Sequence, residues 1–215
     1  MFINVATDSI KVSTPWERAD RATIDLLARY PVALIGDVQQ RMGMMSAALR
    51  PATKSASFAG TILPVLTREG DNLAIHRAID EAKPGDVLVI NGNSEVNRSV
   101  FGDILGEICL ASGIVGVVID GAVRDVEELE KIGLPVFARG ICPAGPTKTG
   151  PGSVGLPVAC GNVVCYPGDA IFADKDGIIV VAKEDLAAYS QKVPAQDAFE
   201  VSLREKIRAS FADQS

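Results

Sequence analysis

The chain has 215 residues, 47% of them hydrophobic and 22% charged, which excludes a disordered chain and suits one domain, residues 1–215, with a sizeable core. Its formal charge of −6 provides no basic footprint for nucleic acid. No apolar run approaches the roughly 18 to 20 residues that span a bilayer.

The N-terminal stretch MFINVATDSIKVSTPWERADR lacks a basic segment followed by an apolar one, so no secretory signal is expected and a cytoplasmic location is. The first fifty residues read as helical. Trp16 to Tyr30 is amphipathic and stops before Pro31, and Gly36 and Gly43 punctuate the stretch beyond it. From Ser57 strands and helices alternate. FAGTILPVL reads as a strand, NLAIHRAIDEA as a helix and DVLVING as a strand. Ser99 to Ser112 then reads as a helix, Ile114 to Ile119 as a strand buried on both faces, and Val126 onward as a short helix before a strand at Pro135–Ile141. This alternation predicts crossover units and a largely parallel sheet. After Gly140 the texture changes to short Gly- and Pro-rich strands, closer to an antiparallel layer. The segment after Asp185 is predicted helical with a break at Pro194, and Phe199, Leu203, Ile207 and Phe211 form an apolar stripe along it.

Several familiar chemistries find no support. Cys109, Cys142, Cys160 and Cys165 have no CxxC spacing and read as reduced, mostly buried groups. His76 is the only histidine, and no nucleophile elbow accompanies it, so it is expected to have no chemical role. GICPAGPTK has the glycines of a phosphate loop but carries Pro146 where the lysine is required. INGNSEV has only one glycine, too few for the glycine-rich cofactor loop of a methyltransferase, and NGNSEVNRS is expected to wall a pocket. No organic cofactor is expected.

The most informative residues are Asp103 and, after twenty intervening residues, Arg124 and Asp125. Arg124 and Asp125 come after the Ile114 strand at its carboxyl end, where open α/β sheets bind ligands, and Asp103 lies in the first turn of the preceding helix. Two carboxylates and a guanidinium at one edge suit a divalent cation with an anionic substrate. Asp125 with Glu128 also fits a capping box.

FGDIL, the twenty-residue gap, DGAVRDVEEL, GSVGLPVAC and PGDAIFADKDGIIVV together resemble the 4-hydroxy-4-methyl-2-oxoglutarate / 4-carboxy-4-hydroxy-2-oxoadipate aldolases, from about Phe58 to Glu184. That family shares its fold with the regulator of ribonuclease activity A. The resemblance implies a three-layer β/β/α sandwich of the swivelling-domain type, with a mixed sheet and helical N- and C-terminal segments. It implies cleavage of a 4-hydroxy-2-oxo acid to pyruvate and a second oxo-acid, with oxaloacetate decarboxylation as a side activity. Asp125 would bind Mg²⁺ (or Mn²⁺), Asp103 would act through water on that ion, and Arg124 would face the reacting oxygens. The Gly102–Leu105 segment, through the Ile104 and Leu105 amides, would hold the substrate carboxylate. A trimer or hexamer is implied, with Glu200 or Glu205 of a neighbouring copy near the metal. The alternative is a non-catalytic regulator that binds a ribonuclease. Lys148 is the lysine a Schiff-base mechanism would use.

Overall fold

A computed structural model describes residues 6–212. The N-terminal part forms β1 (Ile10–Val12), α1 (Arg21–Leu27), α2 (Val32–Val38) and β2 (Arg50–Pro51). The alternating part forms β3 (Phe58–Thr67), α3 (Leu73–Glu81), β4 (Asp86–Asn91), β5 (Ser99–Phe101), α4 (Asp103–Ala111), β6 (Gly116–Val123), α5 (Val126–Ile132) and β7 (Val136–Ile141). Then come β8 (Gly152–Val154), β9 (Val158–Cys160), β10 (Val163–Cys165), β11 (Ala170–Asp174), β12 (Gly177–Val181) and α6 (Leu186–Ala212).

Strands β3, β4, β6 and β7 are parallel neighbours in that order. Antiparallel strands extend this ladder: β8 and β11 on β3, and β2 on β7. The sheet is therefore mixed, and β9 and β10 pair separately as an antiparallel hairpin. Alternate side chains of the central strands enter different cores, as the pleat requires. Leu88 and Ile90 pack with α3, α4 and α5 on one face, whereas Val87 and Val89 pack with Phe137, Cys160, Ile171 and Ile178 on the other. A third cluster joins α1, α2 and α6 to β11 and β12 through Ile24, Ile35, Phe172, Ile179 and Val193. The architecture is the expected β/β/α sandwich.

The first fifty residues are not helical throughout, since Ile10–Val12 is a strand parallel to β8; three further boundaries also differ from the sequence reading, each for a tertiary reason. Only Arg21–Leu27 of the Trp16–Tyr30 segment is helical. Arg18 is pulled into a two-pronged ion pair, Nε and Nη2 donating to the two Asp86 oxygens at 2.8 and 2.7 Å, and the Ala19 amide donates to Gly168 O. Asp20 then caps the shortened helix through the Thr23 amide at 2.8 Å. Likewise Ser99–Phe101 is strand rather than helix. It pairs with β6, and Gly102 is extended (φ −158°, ψ −167°), so the helix starts at Asp103. Finally, α6 runs through Pro194 without a break. A proline inside a helix removes one backbone hydrogen bond and crowds the carbonyl four residues earlier, together costing about 3 kcal/mol. Burial of Leu186 and Val193 against the third cluster offsets it.

Candidate functional site

A cavity of about 220 Å³ opens at the carboxyl ends of the parallel strands. The first turns of α3 and α4, the residue after β6 and the loop before β8 converge there, bringing in Asn72 and His76, Gly102–Leu105, Arg124, and Pro146 and Lys148. Of the residues singled out in the sequence, Gly102, Asp103, Ile104, Leu105 and Arg124 line this cavity. Asp125 lies at its rim, with Oδ2 3.1 Å from Arg124 Nε.

The backbone explains how Asp125 is presented. Its residue is left-handed (φ 56°, ψ 38°) at the N-cap of α5, and its side chain makes no cap hydrogen bond. The capping-box reading therefore fails: the left-handed turn aims the carboxylate away from the helix amides, toward Gly102. A Cβ on Gly102 would stand 2.5 Å from Asp125 Oδ2. A glycine there is what lets the carboxylate reach the start of α4. Gly145 serves Arg124 similarly, since its Cβ would lie 2.8 Å from Nη1. The Arg124 amide donates to Phe101 O at 3.0 Å, tying the end of β6 to β5.

Amides in a helix's first turn have no partner within the helix, which makes the start of α4 an anion site. Asp103 Oδ1 already accepts from the Ile104 amide at 2.7 Å. An incoming carboxylate must displace that contact to use Ile104, or use Leu105. Displacement would free Asp103 as well.

The cavity's other wall departs from the sequence reading. NGNSEVNRS does not line it; Glu95, Asn97 and Arg98 face a separate depression. The wall is instead formed by Pro146 and Lys148 of the loop between β7 and β8, held by Asp71. This fully buried carboxylate accepts from Thr147 Oγ1 (2.7 Å), the Thr149 amide (2.7 Å), the Gly150 amide (3.1 Å) and the Leu73 amide (2.9 Å). Burial alone would raise the Asp71 pKa, but these donors together hold it below the usual carboxylate value. Asp71 escaped the sequence reading, although its place two residues before α3 was a signal for helix initiation.

His76 is buried at the cavity edge, with its Nε2 lacking any hydrogen-bond partner. Burial, aided by the Lys148 charge, lowers its pKa to about 4, so the ring is neutral at pH 7. The cavity thus combines two cations, Arg124 and Lys148, with the Asp103 carboxylate and a neutral imidazole. Asp125 adds a second carboxylate at the rim. Among the described residues no three His, Cys, Asp or Glu side chains form a ready-made metal cluster. Asp125 and Asp103 are the carboxylates available to a cation, and Mg²⁺ commonly takes one or two carboxylates and keeps several waters.

Residues 23–180 match the family model described as RraA-like, Aldolase/RraA. The chain is 33% identical over 196 residues to a Halalkalibacterium halodurans protein provisionally named a 4-hydroxy-4-methyl-2-oxoglutarate aldolase, covering 88% of this chain and 93% of that one. It is also 32% identical over 180 residues to protein DlpA of Legionella pneumophila, covering 80% of this chain but only 28% of DlpA. In structure it resembles Streptomyces coelicolor RraAS2, described as an unusual member of the RNase ES inhibitor RraA family. That match has a TM-score of 0.81 and 25% identity over 88% of this chain and 99% of the other. The matched segment takes in every strand from β3 to β11 and both sides of the cavity, and the chain belongs to the RraA-like (Aldolase/RraA) family.

Proposed function

We propose that the chain is a divalent-metal-dependent aldolase that cleaves a 4-hydroxy-2-oxo di- or tricarboxylic acid into pyruvate and a second oxo-acid, with oxaloacetate decarboxylation at the same site. The observation that carries this reading is the Asp125 carboxylate, unused as a cap, held left-handed above Gly102 and beside Arg124. A left-handed non-glycine residue costs on the order of 1 kcal/mol and tends to persist where function requires it. Mg²⁺ or Mn²⁺ held by Asp125 would supply the positive charge that polarises the 2-oxo group.

The chain's own residues do the rest. The start of α4, through the Leu105 amide, holds the carboxylate next to the 2-oxo group. Asp103, through a bridging water, takes the proton of the 4-hydroxyl. That O–H pair becomes the new carbonyl as the C3–C4 bond breaks, and the C3–C4 electrons pass toward the C2 oxygen. Arg124, fixed by its backbone bond to Phe101, stabilises the charge that develops there. Returning a proton to C3 completes pyruvate.

A screen of 4-hydroxy-2-oxo acids and oxaloacetate, monitoring pyruvate, tests this. We expect release with Mg²⁺ or Mn²⁺, loss after EDTA and recovery on adding metal. Full activity after exhaustive EDTA, or a borohydride-trapped adduct on Lys148, would overturn it. The structural likeness to RraAS2 favours a second reading, a regulator that binds a ribonuclease. Ribonuclease capture without any pyruvate release would select that one.

A further inference from the structure

A second and larger recess lies away from the strand-end cavity. This cleft, of about 490 Å³, forms where the end of α2, the β9–β10 hairpin, β12 and the start of α6 meet, and its size suits a small molecule. Gln39, Val164, Tyr166, Asp169, Val180 and Tyr189 are among its walls, and it shares no lining residue with the strand-end cavity. Its polar groups are fixed but incompletely used. Gln39 Nε2 donates to both Met42 O and Val180 O at 2.9 Å, which locks the carboxamide, yet its Oε1 is buried without a donor. The turn that sets this amide contains two consecutive left-handed residues other than glycine, Gln40 (φ 56°) and Arg41 (φ 65°). It closes at Gly43 (φ 76°), where a Cβ would collide with Gln39 Nε2 and Val180 O. Backbone strain of this kind clusters where a ligand is held. Asp169 is 4% exposed, and the Lys183 amide reaches it only at 3.2 Å, long for a bond to a carboxylate. Asp71 provides the contrast: several donors hold that buried carboxyl below its usual pKa, whereas at Asp169 burial prevails and raises it.

The cleft is thus short of donors and of positive charge. Asp185 adds a further carboxylate to its wall. Lys192 pairs with neither Asp169 nor Asp185 among the described residues, and its ammonium stands over the Tyr189 ring, 5.8 Å from the centroid. A divalent metal is a poor match, because it needs six or more oxygens in a tight shell and no three acidic, His or Cys side chains among the described residues form one. A quaternary ammonium has charge but no N–H. A primary ammonium has three donors for three acceptors, and its charge suits an aromatic face. We propose that this cleft binds a small primary amine with an apolar body, the ammonium held by Gln39, Asp169 and Asp185 and the body lying against Val164 and Val180. Tyr166 and Tyr189 flank the charge. The occupant bridges the end of α2 to the start of α6, and the site does not rest on the aldolase reading.

Calorimetric titration of the full chain with 2-phenylethylammonium and with its neutral counterpart, 2-phenylethanol, tests the site. The amine should bind about ten- to a hundredfold more tightly. Asp169→Asn keeps the side chain's shape and should remove most of that preference. Asp185→Asn, at an exposed position, should weaken the amine by about two- to fivefold and serves if Asp169→Asn fails to fold. Lys192→Met takes the chain's own cation off Tyr189 and should tighten the amine, whereas Val164→Trp should fill the cleft and abolish binding. No binding of the amine, or equal affinity for amine and alcohol, overturns the proposal. So does a preference that survives Asp169→Asn, Asp185→Asn and Val164→Trp alike.

Discussion

Arg124 and Asp125 are adjacent in sequence and 3.1 Å apart in space, but they make different predictions. If Arg124 stabilises charge that exists only in the transition state, Arg124→Ala should lower kcat by about 10²–10³ with a smaller effect on KM. Arg124→Lys should recover little, because a single ammonium cannot replace a guanidinium that faces two oxygens. Steady-state kinetics on the best substrate decides: near-normal kcat with raised KM would reduce Arg124 to ground-state binding. Asp125 carries a conformational cost as well as a charge. Asp125→Gly removes the left-handed penalty and should stabilise the fold by about 0.5–1 kcal/mol while abolishing metal-dependent turnover. Its partner Arg124 is well exposed, so losing that ion pair subtracts little. A thermal melt with the midpoint unchanged or lowered would show that the left-handed turn stores no strain.

At the scale of elements, α3 delivers both a structural anchor and an ionisable group to the cavity. His76 has an ordinary pKa of 6.5 and a folded value of about 4, burial being the main cause. Below pH 6.5 the unfolded chain takes up a proton that the folded chain refuses, so stability falls as pH drops and the loss is complete near pH 4. The full effect is on the order of 3 kcal/mol. Asp169 works in the opposite sense: burial raises its folded pKa, so its contribution to stability grows as pH falls. Urea unfolding across this range should show a steeper decline for the unaltered protein than for His76→Gln, and equal slopes would reject the assignment. The periodic core of α3, β3 and β4 was readable because apolar spacing alone dictates it. The role of His76 was not, because the cavity it faces is completed by Pro146 and Lys148, whose loop is tied to Asp71 some seventy positions earlier. The same logic explains the Ser99–Phe101 strand. Its apolar residues fit a helix locally, but pairing with β6 and the extended Gly102 override that preference. Asp103, Arg124 and Asp125 were legible as a set because their elements are consecutive, β5–α4–β6–α5, so topology brings them together whatever the details of packing.

At the scale of the molecule, α6 raises the question of what covers it. Its first half is anchored by Leu186 (2% exposed) and Val193 (0%), whereas Phe199, Leu203 and Ile207 are 62%, 45% and 46% exposed. Phe199, Leu203 and Ile207 are therefore left largely exposed beyond Pro194. No helix among the described residues is long and apolar enough to cross a membrane, so a bilayer-spanning helix does not account for it. We propose that a second copy of the chain covers it, since an apolar face repeated every four residues is what closed cyclic assemblies bury. Glu200 lies on this projecting helix, paired with Arg204 at 3.1 Å, and Glu205 is the next residue along. In a trimer or hexamer either could reach a neighbour's Asp125 and add the acidic group that one chain's cavity lacks. Light scattering should give a trimer or hexamer, and Leu203→Ser with Ile207→Ser should shift it toward monomer. Deleting everything after Pro194 should cost both assembly and Mg²⁺-dependent pyruvate release. Glu200→Gln and Glu205→Gln, which leave the apolar stripe intact, separate the two effects: one of them should keep the assembly and weaken Mg²⁺ binding. A truncated chain that is monomeric and fully active would show that the site is complete within one copy.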